Sequence, residues 1–148
     1  MNSIQSSNPA VAQARAVLLS KLNEAQHQSG YVSREFMAET AHSLQIPINE
    51  VYGVTTFYSF LSTRPLGKYV IHICKSIPCY LKQAEMIIDS VSSTIGISPG
   101  ETTSNGKFSF ELTNCIGACD MAPAMLLNGE VHGHLTPEKI AEILSACK

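Results

Sequence analysis

Along the N-terminal part of the chain, apolar positions recur at spacings of three, four and seven. Val11, Ala14, Leu18, Leu22 and Ala25 form one stripe, the pattern of an amphipathic helix. Asn8 suits its N-cap, Pro9 its first helical position and Gly30 its end. Ser33 is placed to cap a second helix, SREFMAETAHSLQ, with Phe36, Ala41 and Leu44 inward and Glu35 in the favourable first turn. Pro47 stops that helix. A third, INEVYGVTTFYSFL, begins near Ile48 or Asn49. Its β-branched and aromatic residues have weak helix propensity, so tertiary packing must hold it. The punctuation RPLGK, with Pro65 and Gly67, marks a boundary between a three-helix domain, 1–64, and a second domain, 65–148.

Beyond the boundary the period changes. KYVIHIC is β-branched and nearly continuous, as a buried strand from Lys68 to Ile73 should be. LKQAEMIIDSVSSTIG reads as an amphipathic helix with Leu81, Ala84, Ile87, Ile88, Val91 and Ile95 on one side, ending near Gly96. SPGETTSNGK is turn chemistry, and Asn105-Gly106 invites a tight reversal. The strand FSFELTN follows, with Phe108, Phe110 and Leu112 alternating with polar residues. AMLLNGEVHGHL predicts two short strands around Asn128-Gly129. TPEKIAEILSACK predicts a final helix capped by Thr136, with Pro137 at its first position. The order strand, helix, strand, strand, strand, helix resembles a thioredoxin-like α+β sandwich with a mixed sheet flanked by helices.

Composition narrows the function. With 148 residues and 45% hydrophobic content, the chain can build a core. A net charge of −2, with ten Lys and Arg scattered singly, offers no basic run to neutralise a line of phosphates, so nucleic acid is not expected as a partner. No secretory signal pattern opens the chain, and no apolar run approaches the roughly 20 residues of a membrane-spanning helix. A cytoplasmic protein is expected, at most peripheral to a membrane. Five cysteines in such a reducing compartment point to metal or redox chemistry before disulfides.

Four of them are paired. CKSIPC holds Cys74 and Cys79, and NCIGAC holds Cys115 and Cys119. All four are expected in loops that directly follow strands, so their sulfurs converge if those strands are neighbours. The gaps of four and three residues are wider than the two-residue gaps usual in tetrahedral zinc knuckles. A [2Fe–2S] cluster, whose two irons each take two thiolates, matches two pairs on two loops. Pro78 fixes φ beside Cys79, and Gly117 lets its loop aim N–H groups at sulfur, which would tune a cluster's potential. On spacing alone, disulfides, structural zinc and ordinary buried thiols remain alternatives.

The segments GYVSREFMAETAHSLQIPINEVYGVTTFYSF, KYVIHICKSIPC, GETTSNGKFSFELTNCIGACDMAPAMLLNG and HLTPEKIAEIL together closely resemble the 24-kDa-type subunit of NADH:quinone oxidoreductase (complex I). They are similar also to its relatives in NAD(P)-linked hydrogenases, formate dehydrogenases and electron-bifurcating complexes. The resemblance implies a helical domain for partner docking followed by a thioredoxin-like ferredoxin domain. It implies one [2Fe–2S] cluster held by Cys74, Cys79, Cys115 and Cys119, exchanging single electrons with the flavin of a partner. The flavin mononucleotide and the NAD(P) site are expected on that larger subunit, and further iron–sulfur subunits are expected in the complex. No glycine-rich dinucleotide fingerprint is present, in agreement. The rival reading is a non-redox assembly module with a structural metal site. A free-standing ferredoxin that works without a docking partner is a second rival.

Other residues look functional and read more simply as structure. Cys147 is expected as a core or rim thiol. His132 and His134 could suggest a Rieske-type pair, but all four cysteines are already present, so they read as hairpin turn residues. Val51, Val54 and Phe57 are assigned to the helical core, and Tyr52 belongs to the same aromatic set. Tyr58 and Phe60 stand open between core and interface. Asp120 and Met121 are expected to shape the rim of the centre, with Asp120 solvated. Lys75 directly follows Cys74, where its charge should stabilise the extra electron of a reduced cluster. Lys75→Gln is expected to lower the midpoint potential in a redox titration; an unchanged or higher value would contradict this.

Overall fold

The computed structural model describes residues 9–148, arranged as two compact units that divide between Pro65 and Leu66. The N-cap expected at Asn8 and the side chain of Val11 lie outside the described residues. The first unit holds α1 (Pro9–Ser29), α2 (Arg34–Leu44) and α3 (Ile48–Phe57). Leu18, Leu22 and Ala25 of the α1 stripe are buried together with Val32, Met37, Ala41, Ile46 and Val51. Phe36, Leu44 and Val54 pack at the edge of this core.

Local chemistry sets the helix ends. Gly30, at φ +76°, closes α1 by donating its N–H to the Gln26 carbonyl at 2.8 Å, a conformation that costs glycine nothing. Gln26 ties the unit further: its Nε2 donates to the Gly30 carbonyl at 2.6 Å, and its Oε1 accepts from the Ser62 N–H at 2.8 Å. Ser33 caps α2, its Oγ accepting from the Phe36 N–H at 3.1 Å, worth about 1 kcal/mol. Arg15 and Glu50 pair between α1 and α3 on the surface, a contact of small energy.

Phe57 departs from its expected place in the core and is 79% exposed. The register of α3 explains it. Val51 and Thr55, one turn apart, face inward, and Phe57 lies about 200° around the helix from Thr55, so it turns outward where α3 ends.

The second unit holds β1 (Tyr69–Cys74), α4 (Ile77–Leu81), α5 (Ala84–Ile95), β2 (Glu101–Thr102), β3 (Phe108–Thr113), β4 (Met125–Leu127), β5 (Glu130–His132) and α6 (Pro137–Ala146). Its sheet runs in the order β2-β3-β1-β4-β5, with β1 and β3 parallel and every other neighbouring pair antiparallel. One sheet face, carrying Ile71, Ile73, Phe110 and Met125, packs with Ile87 and Val91 of α5 and Ile140 and Leu144 of α6. Thr136 caps α6 by accepting from the Lys139 N–H at 3.2 Å. Among the described residues no helix is long and apolar enough to cross a membrane.

Three features differ from the periodicity reading. Strand β2 lies inside the stretch read as turn, where its two residues pair with Ser109 and Phe110. The polar Ser109 is buried on β3, because its Oγ accepts the Gly67 N–H at 2.7 Å and meets the Thr102 Oγ1 at 2.6 Å. Leu81 does not share the inward face of α5: it ends the separate helix α4, and Gln83, at φ +64°, breaks the chain direction between them. Leu81 is 72% exposed.

Two glycines give opposite expectations. A Cβ at Gly67 would stand 2.9 Å from the Phe108 carbonyl carbon and 3.0 Å from the Gly106 oxygen, both backbone atoms, whereas one at Gly53 in α3 would meet nothing within 4 Å. Gly67→Ala should therefore destabilise the protein by about 1–3 kcal/mol. Gly53→Ala should stabilise it by about 0.5–1 kcal/mol through helix propensity. Urea unfolding of the two variants checks the signs.

Candidate metal centre

The parallel pairing of β1 and β3 decides where the cysteines go. The strands run in register from Tyr69 opposite Phe108 to Cys74 opposite Thr113, and the Lys75 N–H extends the ladder to the Thr113 carbonyl at 3.0 Å. Both chains therefore leave the sheet at the same end. Cys74 leaves there as the last residue of β1, and Cys115 follows two residues after Thr113.

The remaining two thiols are not in plain loops, as spacing alone suggests. Cys79 lies in α4, whose start at Ser76-Ile77 is favoured by Pro78 in the first turn, where no N–H is needed. Cys119 opens a 3-10 turn, Cys119–Met121. Short helical turns shorten the reach between partners, so wide sequence gaps still bring the sulfurs together. The Cys115 and Cys119 Sγ atoms are 3.3 Å apart, and the thiols of Cys74 and Cys79 are hydrogen-bonded to each other. All five cysteines are free thiols. Among the described residues no three His, Cys, Asp or Glu side chains gather as a single-ion site; the thiols come as two pairs.

The pairs are electrostatically unequal. Cys74 and Cys79 are each 1% exposed, whereas Cys115 and Cys119 face solvent. Burial pushes the Cys74 thiol up, but the backbone and hydroxyl of Ser76, the Cys79 thiol and the Ile116 backbone bond to its sulfur and together hold it below its usual value. Cys79 is pushed up to about 11 by burial and by its bond to Cys74, against the opposing pull of the Ala124 backbone. Cys119 is raised first by its bond to Cys115 and then by desolvation and by the charges of Cys115, Cys74 and Asp120. Cys119 and Cys74 thus lie within electrostatic reach across the two pairs. The Gly117 N–H donates to the Cys115 Sγ at 3.4 Å, with Gly117 at φ +83°.

The whole chain, residues 1–148, matches the thioredoxin-like [2Fe-2S] ferredoxin family. The chain belongs to that family. Among curated relatives of this ferredoxin type, an NADH-quinone oxidoreductase subunit of Escherichia coli (strain K12) is 37% identical over 134 residues, covering 90% of this chain and 81% of the relative. Its counterpart in Pseudomonas aeruginosa is 34% identical over 132 residues, covering 89% and 80%. The HndA subunit of the NADP-reducing hydrogenase of Solidesulfovibrio fructosivorans is 33% identical over 128 residues, covering 86% and 75%. Among solved structures, a chain of an NAD+-reducing [NiFe]-hydrogenase in the air-oxidized state superposes with a TM-score of 0.73 at 24% identity. It covers 87% of this chain, which spans only 22% of that longer one, and the likeness is one of fold. An N-terminal helical region followed by a mixed-sheet, thioredoxin-like ferredoxin domain is therefore the architecture of this family member.

Other residues singled out in the sequence fall away from the thiols or onto their rim. Cys147 is buried in the core formed by β1, β3, α5 and α6, with its Sγ 3.5 Å from the Ile143 carbonyl. His132 is not a turn residue: it belongs to β5, pairs with Met125 and buries its Nε2. His134 lies in the turn beyond, at φ +50°. Asp120 is exposed beside Cys119. The backbone groups of Ser76, Ile116 and Ala124 that reach the sulfurs carry no side-chain signature, and the sequence reading missed them. Only the short spacing of Ser76 and Ile116 from cysteines could have pointed to two of them.

Met121 holds the second half of the site in place. Its carbonyl accepts the His134 N–H at 2.6 Å, and a Cβ on Gly133 would stand 2.3 Å from the Met121 Cβ. Gly133→Ala must push the turn that carries Cys119, at an expected cost of about 1–3 kcal/mol. Gly117 has open space around it, so Gly117→Ala should cost only the positive-φ penalty of about 1–2 kcal/mol. In urea unfolding both variants lose stability. Reaction with a small thiol reagent separates them, because Gly133→Ala should change the rate at Cys119 and Gly117→Ala the rate at Cys115.

Proposed function

We propose that this chain is an electron-transfer subunit whose Cys74, Cys79, Cys115 and Cys119 hold one [2Fe–2S] cluster. The observation that carries the proposal is the arrival of two thiol pairs at one end of the β1–β3 ladder, each pair already in sulfur–sulfur contact. Two pairs suit two irons that each take two thiolates. The backbone groups of Ser76, Ile116, Gly117 and Ala124 at the sulfurs are of the kind that stabilises thiolate and tunes such a centre. The family and the relatives named above support the same donor set.

When bound, the cluster supplies one-electron transfer, which complements a flavin that accepts two electrons as hydride from a nicotinamide. This chain's own part is to fix the sulfurs, keep water from Cys74 and Cys79, and present the pair Cys115 and Cys119 toward solvent. The flavin and the NAD(P) site then belong to a larger partner protein within an NAD(P)H-linked oxidoreductase or hydrogenase, alongside further iron–sulfur subunits. The domain of residues 1–64 serves docking, a role supported by the outward Tyr52, Phe57 and Phe60, each more than half exposed. A cytoplasmic setting is supported by five free thiols.

The competing reading is an assembly module whose metal only stiffens the fold. Anaerobically purified or reconstituted protein should be brown, contain about two irons per chain, bleach with dithionite and give an EPR signal when reduced. Cys→Ser at 74, 79, 115 or 119 should lower cluster occupancy or alter that signal. Cys147→Ser should leave both unchanged. Colourless, zinc-bound protein of full stability would remove the electron-transfer reading.

A further inference from the structure

The second unit leaves apolar side chains in water beside the thiols. Ile77 is 73% exposed, Tyr80 57% and Leu81 72%. Their spacing puts them on one side of α4, while Cys79 in the same helix is 1% exposed. Met86, 47% exposed, extends this surface. It shares with Leu81 a surface groove of about 450 Å³ that Ile87, Pro123 and Leu135 also line. Single exposed apolar residues need no explanation, but a contiguous ridge does.

Charge adds direction. From Lys68 to Ala84 the chain carries Lys68, Lys75 and Lys82 and no carboxylate. Lys75 stands just before the N-cap of α4 and Lys82 immediately after its last residue, and both are exposed. The apolar ridge is thus bracketed by positive charge, the arrangement of an interface with a desolvated centre and a rim that steers encounter.

We infer that the outer side of α4 is the docking surface for the flavin-bearing partner protein, with Ile77, Tyr80 and Leu81 at its centre and Lys75 and Lys82 facing carboxylates of the partner. This inference rests on the electron-transfer reading above. It adds where the partner sits: α4 carries Cys79 on its inner side, so a partner on the outer side is separated from that thiol only by the helix. Docking there also removes water from one wall of the centre, which strengthens the electrostatic effect of every nearby dipole.

The test uses the full chain, affinity-tagged in its native host, so that the whole complex is purified. The forms compared are the unchanged chain, Ile77→Glu/Leu81→Glu, Lys82→Glu, and Val131→Glu as a control on the edge strand β5. Dithionite bleaching reports an intact centre; bleaching by NADH or NADPH, added separately, reports delivery of electrons through the partner. The double variant should keep its dithionite response while nicotinamide-driven reduction slows about tenfold or more, the scale of losing a central apolar contact. Val131→Glu should behave as the unchanged chain. Lys82→Glu should slow the reaction severalfold at low salt and converge with the unchanged chain at high salt.

A double variant reduced within twofold of the unchanged rate overturns the docking proposal. Should that variant lose its centre, Lys82→Glu decides alone, and no slowing at low salt overturns it. If the unchanged complex bleaches with dithionite but with neither nicotinamide, the electron-transfer reading falls, and the docking proposal with it.

Discussion

The parallel ladder between β1 and β3 is the constraint on which the site depends. Sheet register is specified strongly wherever one face is buried, because a slip of one residue moves every side chain to the opposite face. Here such a slip on β1 would take Ile71 and Ile73 out of the core they share with Phe110, Ile87, Val91, Ile140 and Leu144. The same slip would move Cys74 away from Thr113. The hydrophobic core and the thiol geometry are therefore set by one register, and the apolar packing that stabilises the sheet also positions the sulfurs. Gly67 reinforces that register from outside the ladder, since its N–H is fixed by the buried Ser109 hydroxyl and its Cα lies against the β3 backbone.

The two half-sites reached by this ladder differ in kind. Cys74 and Cys79 lie under α4 in a dry setting, where a charge is costly unless hydrogen bonds offset it. Ser76 and Ile116 supply those bonds to Cys74, while Cys79 keeps its proton to high pH. Cys115 and Cys119 lie in a turn whose only tight supports are the Gly117 N–H and the seat of Met121 against Gly133. A centre held across both pairs would have one well-solvated side and one protected side. Solvation favours added negative charge on the first, and backbone dipoles favour it on the second. The balance between them, together with Lys75, sets the potential.

Much of this is legible in the residues. The α1 stripe, the Ser33 and Thr136 caps, the Gly30 and Gly96 helix ends, and the strands on either side of Asn128-Gly129 all follow from period and turn chemistry. These are local signals, and the structure keeps them. The errors share a cause: they concern residues whose surroundings are set by distant segments. Strand β2 exists because β3 offers an edge, and Ser109 is buried because Gly67 and Thr102 reach it. The helical placement of Cys79 and Cys119 is hidden because a five-residue helix and a three-residue turn are too short to show a period. The family resemblance points to the four cysteines, but the groups that bond to their sulfurs are backbone atoms, which every residue carries.

Phe57 and Leu81 show the limit of amphipathicity more sharply. Periodicity assigns both inward because they are large and apolar, and both point to water. Hydrophobic pattern reports that a side chain avoids water; it does not say whether the shelter lies in the same chain or in a partner. The two cases are separated by register: Phe57 is rotated away from the Val51 and Thr55 face, and Leu81 is cut off from the α5 face by the left-handed turn at Gln83. In each, the backbone commits the residue outward before packing is considered. An apolar residue that the backbone commits outward next to a buried thiol carries information that neither core packing nor ligand spacing contains, and for α4 that information concerns what the thiols face.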